Sequence, residues 1–262
     1  MAITRIIAII RQEIYITRHS FEVIVDLGLF PLINFIVFGF VSLWLAGPEH
    51  KVNAYYLLIG TILWNIVYIN QYSIAVGSLW NIWSHNLSNM FVAPLTIKEY
   101  IIAIMLSGIL KTTAVFIFTS IIAIFIFHYS IFSLGIINLL IYFLNLTLFA
   151  WILGLIVLGL IFRFGTRIQA LAWSIAYLAQ PLTAAFYPVT ILPPFLRTIS
   201  YLLPATYVFE GARKNVFNQS VQWESVEKAF ILNAIYLVVA VLLFKILLKQ
   251  SKESGQFARN DG

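Results

Sequence analysis

The side chains that could carry out chemistry are few and scattered in this chain. The four histidines lie far apart, at His19, His50, His85 and His128. No HExxH or GxSxG pattern occurs. The spacing of Gly154 and Gly159 fits a phosphate-binding loop, but Leu160 and Ile161 follow where that loop needs Lys and Ser or Thr. Cysteine is absent, which excludes disulfides and thiolate metal sites. The sequence therefore predicts no enzyme, no metal site and no ATP site.

Two sets of ionisable residues are of particular interest. One group follows the last prolines and is best explained as a solvated face with a salt bridge; it consists of Glu210, Arg213, Lys214, Glu224 and Glu227. The other group is Asp26 and Lys111, which lie inside apolar segments. Each of these charges costs about 2.5 to 3.5 kcal/mol at the centre of a membrane helix. They are interpreted either as snorkelling or paired charges near helix ends, or as polar contacts at the cytoplasmic mouth of a pathway.

The composition identifies the class of protein. The chain is 61% hydrophobic and 10% charged, whereas soluble domains carry about 25% charged residues. We therefore expect an all-α integral membrane protein with one transmembrane domain over residues 1–262. The net charge of +6 does not indicate nucleic acid, because the basic residues are spread along the segment ends.

Six apolar segments are long enough to be candidate spans, since a spanning helix needs about 20 apolar residues. They cover residues 21–46, 54–79, 100–127, 134–162, 168–186 and 228–248. The fifth is rich in alanine, which favours close helix packing within the chain or between two copies. Residues 1–20 precede them, with Ile3, Ile6, Ile7, Ile10 and Ile14 on one face and Arg5, Gln12 and His19 turned away or bordering it. This pattern predicts an interfacial amphipathic helix, or alternatively an extension of the first span.

The placement of Lys and Arg predicts the orientation. Six spans put both termini on one side, and that side would hold ten basic residues against five on the other. Because basic residues favour the cytoplasm, we expect both termini there, together with a polar tail over residues 249–262. The expected location is the plasma membrane.

Two stretches between the spans are unusual. Residues 187–213 are too apolar for an ordinary loop and too rich in proline for a spanning helix. They predict a re-entrant element at the outer side, with an apolar external loop as the alternative. Residues 80–99 face the cytoplasm, and an amphipathic helix over Trp80 to Met90 fits their pattern. This segment is either a docking helix for a cytoplasmic partner or a plain connecting loop.

Aromatic side chains are abundant near these elements. Most aromatic residues of membrane proteins face lipid or form interfacial belts. Some could instead stack on sugar rings or line a conduit, namely Trp64, Tyr68, Tyr72, Trp173, Tyr177, Tyr187, Tyr201 and Tyr207. The sequence leaves both uses open, and we include Tyr177 with Asp26 and Lys111 as candidate pathway residues.

The two unusual stretches resemble those of ABC-2 type transporter permeases. The segment MFVAPLTIKEY, from Met90 to Tyr100, resembles the segment that follows the coupling helix of that family. The segments YPVTILPP, from Tyr187, and LPATYVFEGAR, ending at Arg213, resemble its outer signatures. The resemblance covers the whole chain, from the N-terminal interfacial helix through six spans to the break between the fifth and sixth.

The resemblance implies a permease subunit of an ATP-driven exporter. ATP and Mg²⁺ would be bound by two separate cytoplasmic ATPase subunits, and a second permease copy would complete a homodimer, with a heterodimer left open. The coupling residues would be Trp80, Trp83, His85, Asn86, Leu87 and Met90. The outer re-entrant element would use Tyr187, Pro188, Pro193, Pro194, Pro204, Tyr207, Glu210 and Arg213.

The substrate stays open at this point. The resemblance fits export of a small amphiphile, a drug or a lipid-linked molecule, which we favour slightly, or of a polysaccharide. An ATP-independent channel or secondary transporter is the alternative from a different class. A secondary transporter usually shows repeats and midplane ionisable groups, and neither is evident here.

Overall fold

The computed structural model describes residues 2–46, 51–216 and 220–259, and within these ranges every regular element is helical. The α-helices are α1 (Ala2–His19), α2 (Phe21–Ile24), α3 (Phe30–Ala46), α4 (Lys51–Trp83), α5 (Leu87–Val92), α6 (Ile97–Phe127), α7 (Ile136–Phe164), α8 (Leu171–Leu182), α9 (Pro194–Ser200), α10 (Pro204–Asn215), α11 (Trp223–Glu253) and α12 (Gln256–Arg259). A π-helical turn, Val25–Leu29, joins α2 to α3. The all-α prediction is confirmed.

Five helical segments are long and apolar enough to cross a membrane. They are Phe21–Leu45, Tyr55–Trp83, Ile97–Phe127, Ile136–Ile168 and Trp223–Glu253. They correspond to the first four predicted spans and the sixth. Several extend beyond the predicted bounds, because polar residues such as those at the ends of α4 and α11 continue the helix without adding to the apolar signal.

The fifth predicted span, residues 168–186, differs from expectation. Only Leu171–Leu182 is α-helical there, and 12 residues rise about 18 Å, less than the roughly 30 Å of a bilayer core. The interruptions have local causes. Gly165, with φ +74°, ends α7 and begins a 3₁₀ turn that extends to Ile168. Ala184, with φ +52°, follows the end of α8. By length, the described residues therefore supply five candidate spans and not six.

The helix directions show that α8 nevertheless returns the chain along the bundle. On α11, Asn233 bonds to Asn145 of α7, and Ser251 donates to the carbonyl of Phe162, so α7 and α11 run in the same direction. The chain between them must come back. Gln71 of α4 bonds to Ala172 at the start of α8, whereas Ala185 just after α8 lies against Gly60, eleven residues earlier on α4.

We call the end of the bundle that holds α1 and the last residues of α11 the proximal end, and the opposite end the distal end. Helix α1 packs against the proximal halves of α4 and α6. Arg5 bonds to Glu99 near the start of α6, and Gln12 bonds to Asn81 near the end of α4. Asn81 also bonds to Tyr100, so these two contacts occur at one depth, whereas Glu13 of α1 bonds to Lys111, twelve residues further along α6 than Glu99.

Helix α4 is the centre of the bundle. Of its most apolar stretch, 94% is buried, against 22% for α6 and for α11. Several of its polar side chains bond to the surrounding helices, for example Asn70 to Thr112 at 2.8 Å. Such bonds satisfy polar groups that would otherwise be unpaired in an apolar environment. The lower hydropathy of α4 therefore reflects contact with protein on all sides, while α6 and α11 expose apolar faces.

Candidate functional site

A cavity of about 220 Å³ lies between α3, α4 and α8. Its polar lining consists mainly of amides, with Asn34 from α3, Asn65 from α4 and Gln180 from α8, and its aromatic lining includes Trp64, Tyr68 and Tyr177. None of the described residues that line it carries a charge. A cavity with rings and amides suits an uncharged ligand that both packs on aromatic faces and forms hydrogen bonds.

Two donors at this cavity lack partners. The side chains of Trp64 and Asn65 are 4% and 6% exposed, and within the described part of the chain Trp64 Nε1 and Asn65 Nδ2 have no hydrogen-bond acceptor. An unpaired buried donor costs about 1 to 3 kcal/mol. Helix α4 therefore places two residues with unsatisfied, buried donors in the wall of the cavity.

A chain of aromatic residues joins this cavity to Asp26. The Asp26 Oδ2 atom accepts hydrogen bonds from Tyr72 Oη at 2.8 Å and from Trp173 Nε1 at 3.4 Å. The ring centroid of Tyr72 is 6.0 Å from that of Tyr68, which in turn is 5.7 Å from that of Tyr177. Asp26 and Tyr177, two of the predicted pathway residues, therefore belong to one connected group on α4, α8 and the π-helical turn.

The third predicted pathway residue has a different partner. Lys111 Nζ donates to Glu13 Oε2 at 2.9 Å, and both side chains are almost fully buried between α1 and α6. Lys111 is thus paired, as one of the two sequence interpretations allowed, and it takes no part in the group around Asp26. The pair attaches α1 to the bundle.

The predicted docking segment is divided into two parts. Trp80 and Trp83 form the last turn of α4, whose end is followed by His85 with φ +51°. The short helix α5 begins after Asn86, whose carbonyl accepts from the backbone of Met90. The chain therefore does not form a continuous helix from Trp80 to Met90, because the left-handed backbone conformation of His85 redirects it.

The exposure of this segment shows which side chains are accessible. Met90 is buried, and Trp80 is half-buried with its ring 5.3 Å from Trp83. Trp83 also stacks on Trp173 at 6.0 Å. His85 is exposed, the side chain of Leu87 lies outside the described part, and Val92 at the end of α5 is 87% exposed. The exposed side chains of this segment thus include Trp83 of α4, His85, and Val92 of α5.

The proline-rich stretch forms two short helices at the distal end. Pro194 and Pro204 occupy the first positions of α9 and α10, where the missing backbone donor has no intrahelical acceptor to lose. Pro193 and Pro188 stand just before α9 and before the 3₁₀ turn Val189–Ile191. The prolines therefore determine where the helices of this stretch begin.

A hydrogen-bonded network joins α10 to the turns that follow α8. Glu210 Oε1 accepts from Arg213 at 2.7 Å and from the backbone N of Val189 at 2.8 Å, and Arg213 also donates to the Ala185 carbonyl at 3.3 Å. The predicted salt bridge is present. Arg213 is buried, however, so this pair is an internal contact, and only Lys214, Glu224 and Glu227 of the predicted solvated group are exposed.

The two predicted tyrosines of this stretch have local roles. Tyr187 donates from Oη to the Pro181 carbonyl at 2.6 Å, and its partial burial raises the pKa of its hydroxyl. The ring of Tyr207 lies 5.8 Å from that of Tyr201. Both residues therefore stabilise the turns around α9 and α10.

The comparison with known families covers these elements. The sequence pattern of the ABC-2 type transporter family matches residues 4–217, from α1 through α10. The match extends over well more than half of the chain. The chain belongs to the ABC-2 type transporter family. A search of curated proteins found no match. The membrane domain of this family is a transport permease and not a catalyst, in agreement with the scattered titratable groups of the sequence.

Several residues of the cavity and of the α1 contact were missed by sequence reasoning. Asn34, Thr61 and Asn65 line the cavity but were not singled out. Thr61 and Asn65 are four residues apart, which places them on one face of α4, and this spacing was the available signal. Glu13 was missed as well, although a buried Lys111 requires an anionic partner.

Among the described residues of the permease, no group of three His, Asp or Glu side chains converges as a metal site would require.

Proposed function

We propose that this chain is the permease subunit of an ATP-driven exporter in the plasma membrane. Membership of the ABC-2 type transporter family carries the proposal. Because the sequence has no nucleotide-binding loop, energy must come from elsewhere. Two separate cytoplasmic ATPase subunits supply it with ATP and Mg²⁺, and a second copy of the chain completes a homodimeric pathway.

Six membrane crossings with both termini in the cytoplasm fit the helix directions. Since α7 and α11 run in the same direction, the segment between them must cross back, and α8 with its flanking turns takes that course. The proximal end is then cytoplasmic, which agrees with the excess of Lys and Arg on that side.

Helix α1 is the interfacial helix of this topology, because it has three different faces. Arg5, Gln12 and Glu13 turn toward the bundle, where each is bonded. The exposed apolar side chains Ile3, Ile7 and Ile14 lie on a second face. Arg11 and Arg18 are exposed on a third. A helix at the boundary of protein, lipid and water requires this division.

The re-entrant character of the proline-rich stretch is supported by its depth. Gly211 of α10 lies beside Ser225 at the start of α11. The carbonyl of Leu202, just before α10, accepts from Tyr236, which is eleven residues or about 16 Å further along α11. Because a tyrosine side chain can span part of that distance, the turn before α10 lies several ångström deeper than Gly211. The chain enters the bundle and leaves on the same side.

The cavity between α3, α4 and α8 is the proposed lining of the pathway. We favour an amphiphile, drug or lipid-linked molecule with an uncharged polar part, because the lining offers rings and amides and no charge among its described residues. The same combination favours a glycan as the second candidate, since sugars stack on aromatic faces and bond to amides. An ATP-independent channel would use the same lining but would need no ATPase.

The test uses the exposed apolar residue of α5. Val92→Glu introduces a charge where we propose that the ATPase docks. Phe164→Glu is the matched control, because Phe164 is also an exposed apolar residue at the proximal end, on α7. The permease is co-purified from mild detergent with its candidate ATPase, and substrate-stimulated ATP hydrolysis is measured.

We expect Val92→Glu to reduce complex formation and stimulated hydrolysis by at least about tenfold, since a desolvated charge at a contact costs more than 1.4 kcal/mol. Phe164→Glu should retain both. A permease that binds no ATPase yet conducts solute alone in liposomes would contradict the exporter proposal and support the channel.

A further inference from the structure

A second cavity, of about 370 Å³, lies between the last turns of α1 and the neighbouring part of α6. Its walls come from α1, α2, the π-helical turn and α6. The walls are mainly apolar. Three of the apolar side chains in them, Ile14, Ile24 and Leu110, are also exposed on the bundle surface. An apolar groove that opens outward next to an interfacial helix is accessible from the acyl region of a membrane.

Two basic side chains, those of Arg18 and Lys111, line this groove. The charge of Lys111 is neutralised by Glu13. Arg18 is exposed, and no carboxylate pairs with it within the described part of the chain. The groove therefore combines apolar walls with one exposed, uncompensated cation.

The floor of the groove is kept open by a glycine. Gly28 lines it, and a Cβ at that position would meet no heavy atom within 4 Å. Gly28 lies in the π-helical turn Val25–Leu29, and such turns are rare and frequent at functional sites. Empty space beside a glycine in an apolar wall has room for a chain of methylene groups.

We propose that this groove binds one anionic phospholipid of the cytoplasmic leaflet, with an acyl chain beside Gly28 and the phosphate at Arg18. Charge complementarity selects the occupant, because a zwitterionic lipid gains less from a lone cation. The inference rests on the proposed membrane topology. It does not rest on the transported substrate, whose proposed cavity lies between α3, α4 and α8.

The site has a structural consequence for α1. The Glu13–Lys111 pair holds the middle of α1 from the bundle side, while the groove lies along the following turn, at Ile14, Thr17 and Arg18. A lipid in the groove would contact α1, the π-helical turn and α6 at once. Its binding would therefore stabilise the position of the interfacial helix.

The experiment measures lipid retention by native mass spectrometry of the purified full-length chain. Phosphatidylglycerol and phosphatidylcholine with identical chains are supplied separately, and glycerol 3-phosphate serves as a soluble headgroup competitor. Arg18→Gln removes the cation. Arg11→Gln is the matched control, because Arg11 is exposed on the same helix but does not line the groove. Gly28→Leu and Gly28→Trp fill the floor to different extents.

We expect the wild type to retain one phosphatidylglycerol per chain in preference to phosphatidylcholine. Arg18→Gln should lower retention of the anionic lipid about fivefold, the effect of one basic residue at a membrane surface, while Arg11→Gln leaves it unchanged. The two Gly28 variants should lower retention of both lipids, Trp more than Leu, with the oligomeric state preserved.

Four outcomes would overturn the inference. Equal retention of the two lipids would remove the headgroup site. An equal effect of Arg11→Gln would indicate general surface attraction. Competition by glycerol 3-phosphate as strong as by the lipid would show that the acyl groove contributes nothing. Loss of the dimer in the Gly28 variants without a change in lipid retention would assign the groove to a second copy of the chain.

Discussion

The buried ion pair between Glu13 and Lys111 allows a quantitative test of how α1 is attached. The two side chains are 3% and 8% exposed, and their charged atoms are 2.9 Å apart. Lys111→Met removes the cation and keeps the length of the side chain, whereas Glu13→Gln removes the anion and keeps the shape. Either change leaves a single uncompensated charge, or a single unpaired polar group, in a dry contact between α1 and α6.

Removing one partner of a buried ion pair typically costs about 3 to 5 kcal/mol, because the remaining charge keeps its desolvation penalty and loses its attraction. The Glu13→Gln variant should be near this range. Replacing both partners removes both penalties, so the double variant should recover more than half of the loss. We therefore expect a coupling energy of about 2 kcal/mol or more in the double-mutant cycle.

The assay is reversible unfolding in mixed detergent micelles, followed by far-ultraviolet circular dichroism for the four proteins of the cycle. The pair Glu224–Lys228 is the matched control, since it has a similar separation of 2.6 Å but is exposed. Its single variants should change stability only slightly. If the Glu13 and Lys111 variants were equally mild, or if their effects were simply additive, the pair would not anchor α1 and our reasoning would be refuted.

Two further predictions separate packing from transport. Asn65→Leu should leave stability unchanged or raise it by about 1 kcal/mol, because it removes an unpaired donor, while lowering substrate-stimulated transport in liposomes about fivefold. Asn233→Leu should lower stability instead, since Asn233 Nδ2 is bonded to Asn145, and equal stability losses in the two variants would contradict the assignment. Gly60→Ala should destabilise the chain by about 1 to 3 kcal/mol in thermal unfolding, because its Cβ would lie 2.2 Å from a backbone carbonyl oxygen. Gly211→Ala, whose Cβ meets only ordinary contacts, should be tolerated, and a reversed order would refute the packing argument.

The long apolar helices could be predicted from the sequence because lipid exposure leaves a direct signal. Helices α6 and α11 are mostly exposed apolar surface, so their hydropathy defines them. Helix α8 gives a weaker signal. Its alanines and aromatic residues suggest a span of ordinary length, but Gly165 and Ala184 adopt positive φ and limit the α-helix to Leu171–Leu182. Positive φ at an alanine cannot be anticipated from residue type.

The polar face of α1 was only partly predictable. Ile3, Ile7 and Ile14 are exposed, as an apolar membrane face requires, but Ile6 and Ile10 are half-buried against the bundle. Arg5 and Gln12, expected to turn away from the apolar face, bond to Glu99 and Asn81. A single helical period separates apolar from polar residues, but it cannot distinguish polar groups that face water from those that face polar protein groups.

The eight aromatic candidates illustrate the same limit at the site. Trp64, Tyr68 and Tyr177 line the cavity, while Tyr72 and Trp173 donate to Asp26. The other three pack within the distal stretch. Residue type identified the whole set of candidates. Only the way in which α3, α4 and α8 come together shows which of them line the cavity. That arrangement depends on contacts between helices far apart in sequence.

Helix α4 connects the two regions that the proposed exporter must couple. Its 33 residues extend about 50 Å, with Trp64 and Asn65 at the cavity and Trp83 at the turn before α5. Trp83 stacks on Trp173 of α8, which also bonds to Asp26. A displacement of α5 by a docked ATPase would therefore act on α4 through its last turn and on α8 through the stacked tryptophans. Because these helices form two walls of the cavity, their relative movement would change its width without requiring α4 to bend.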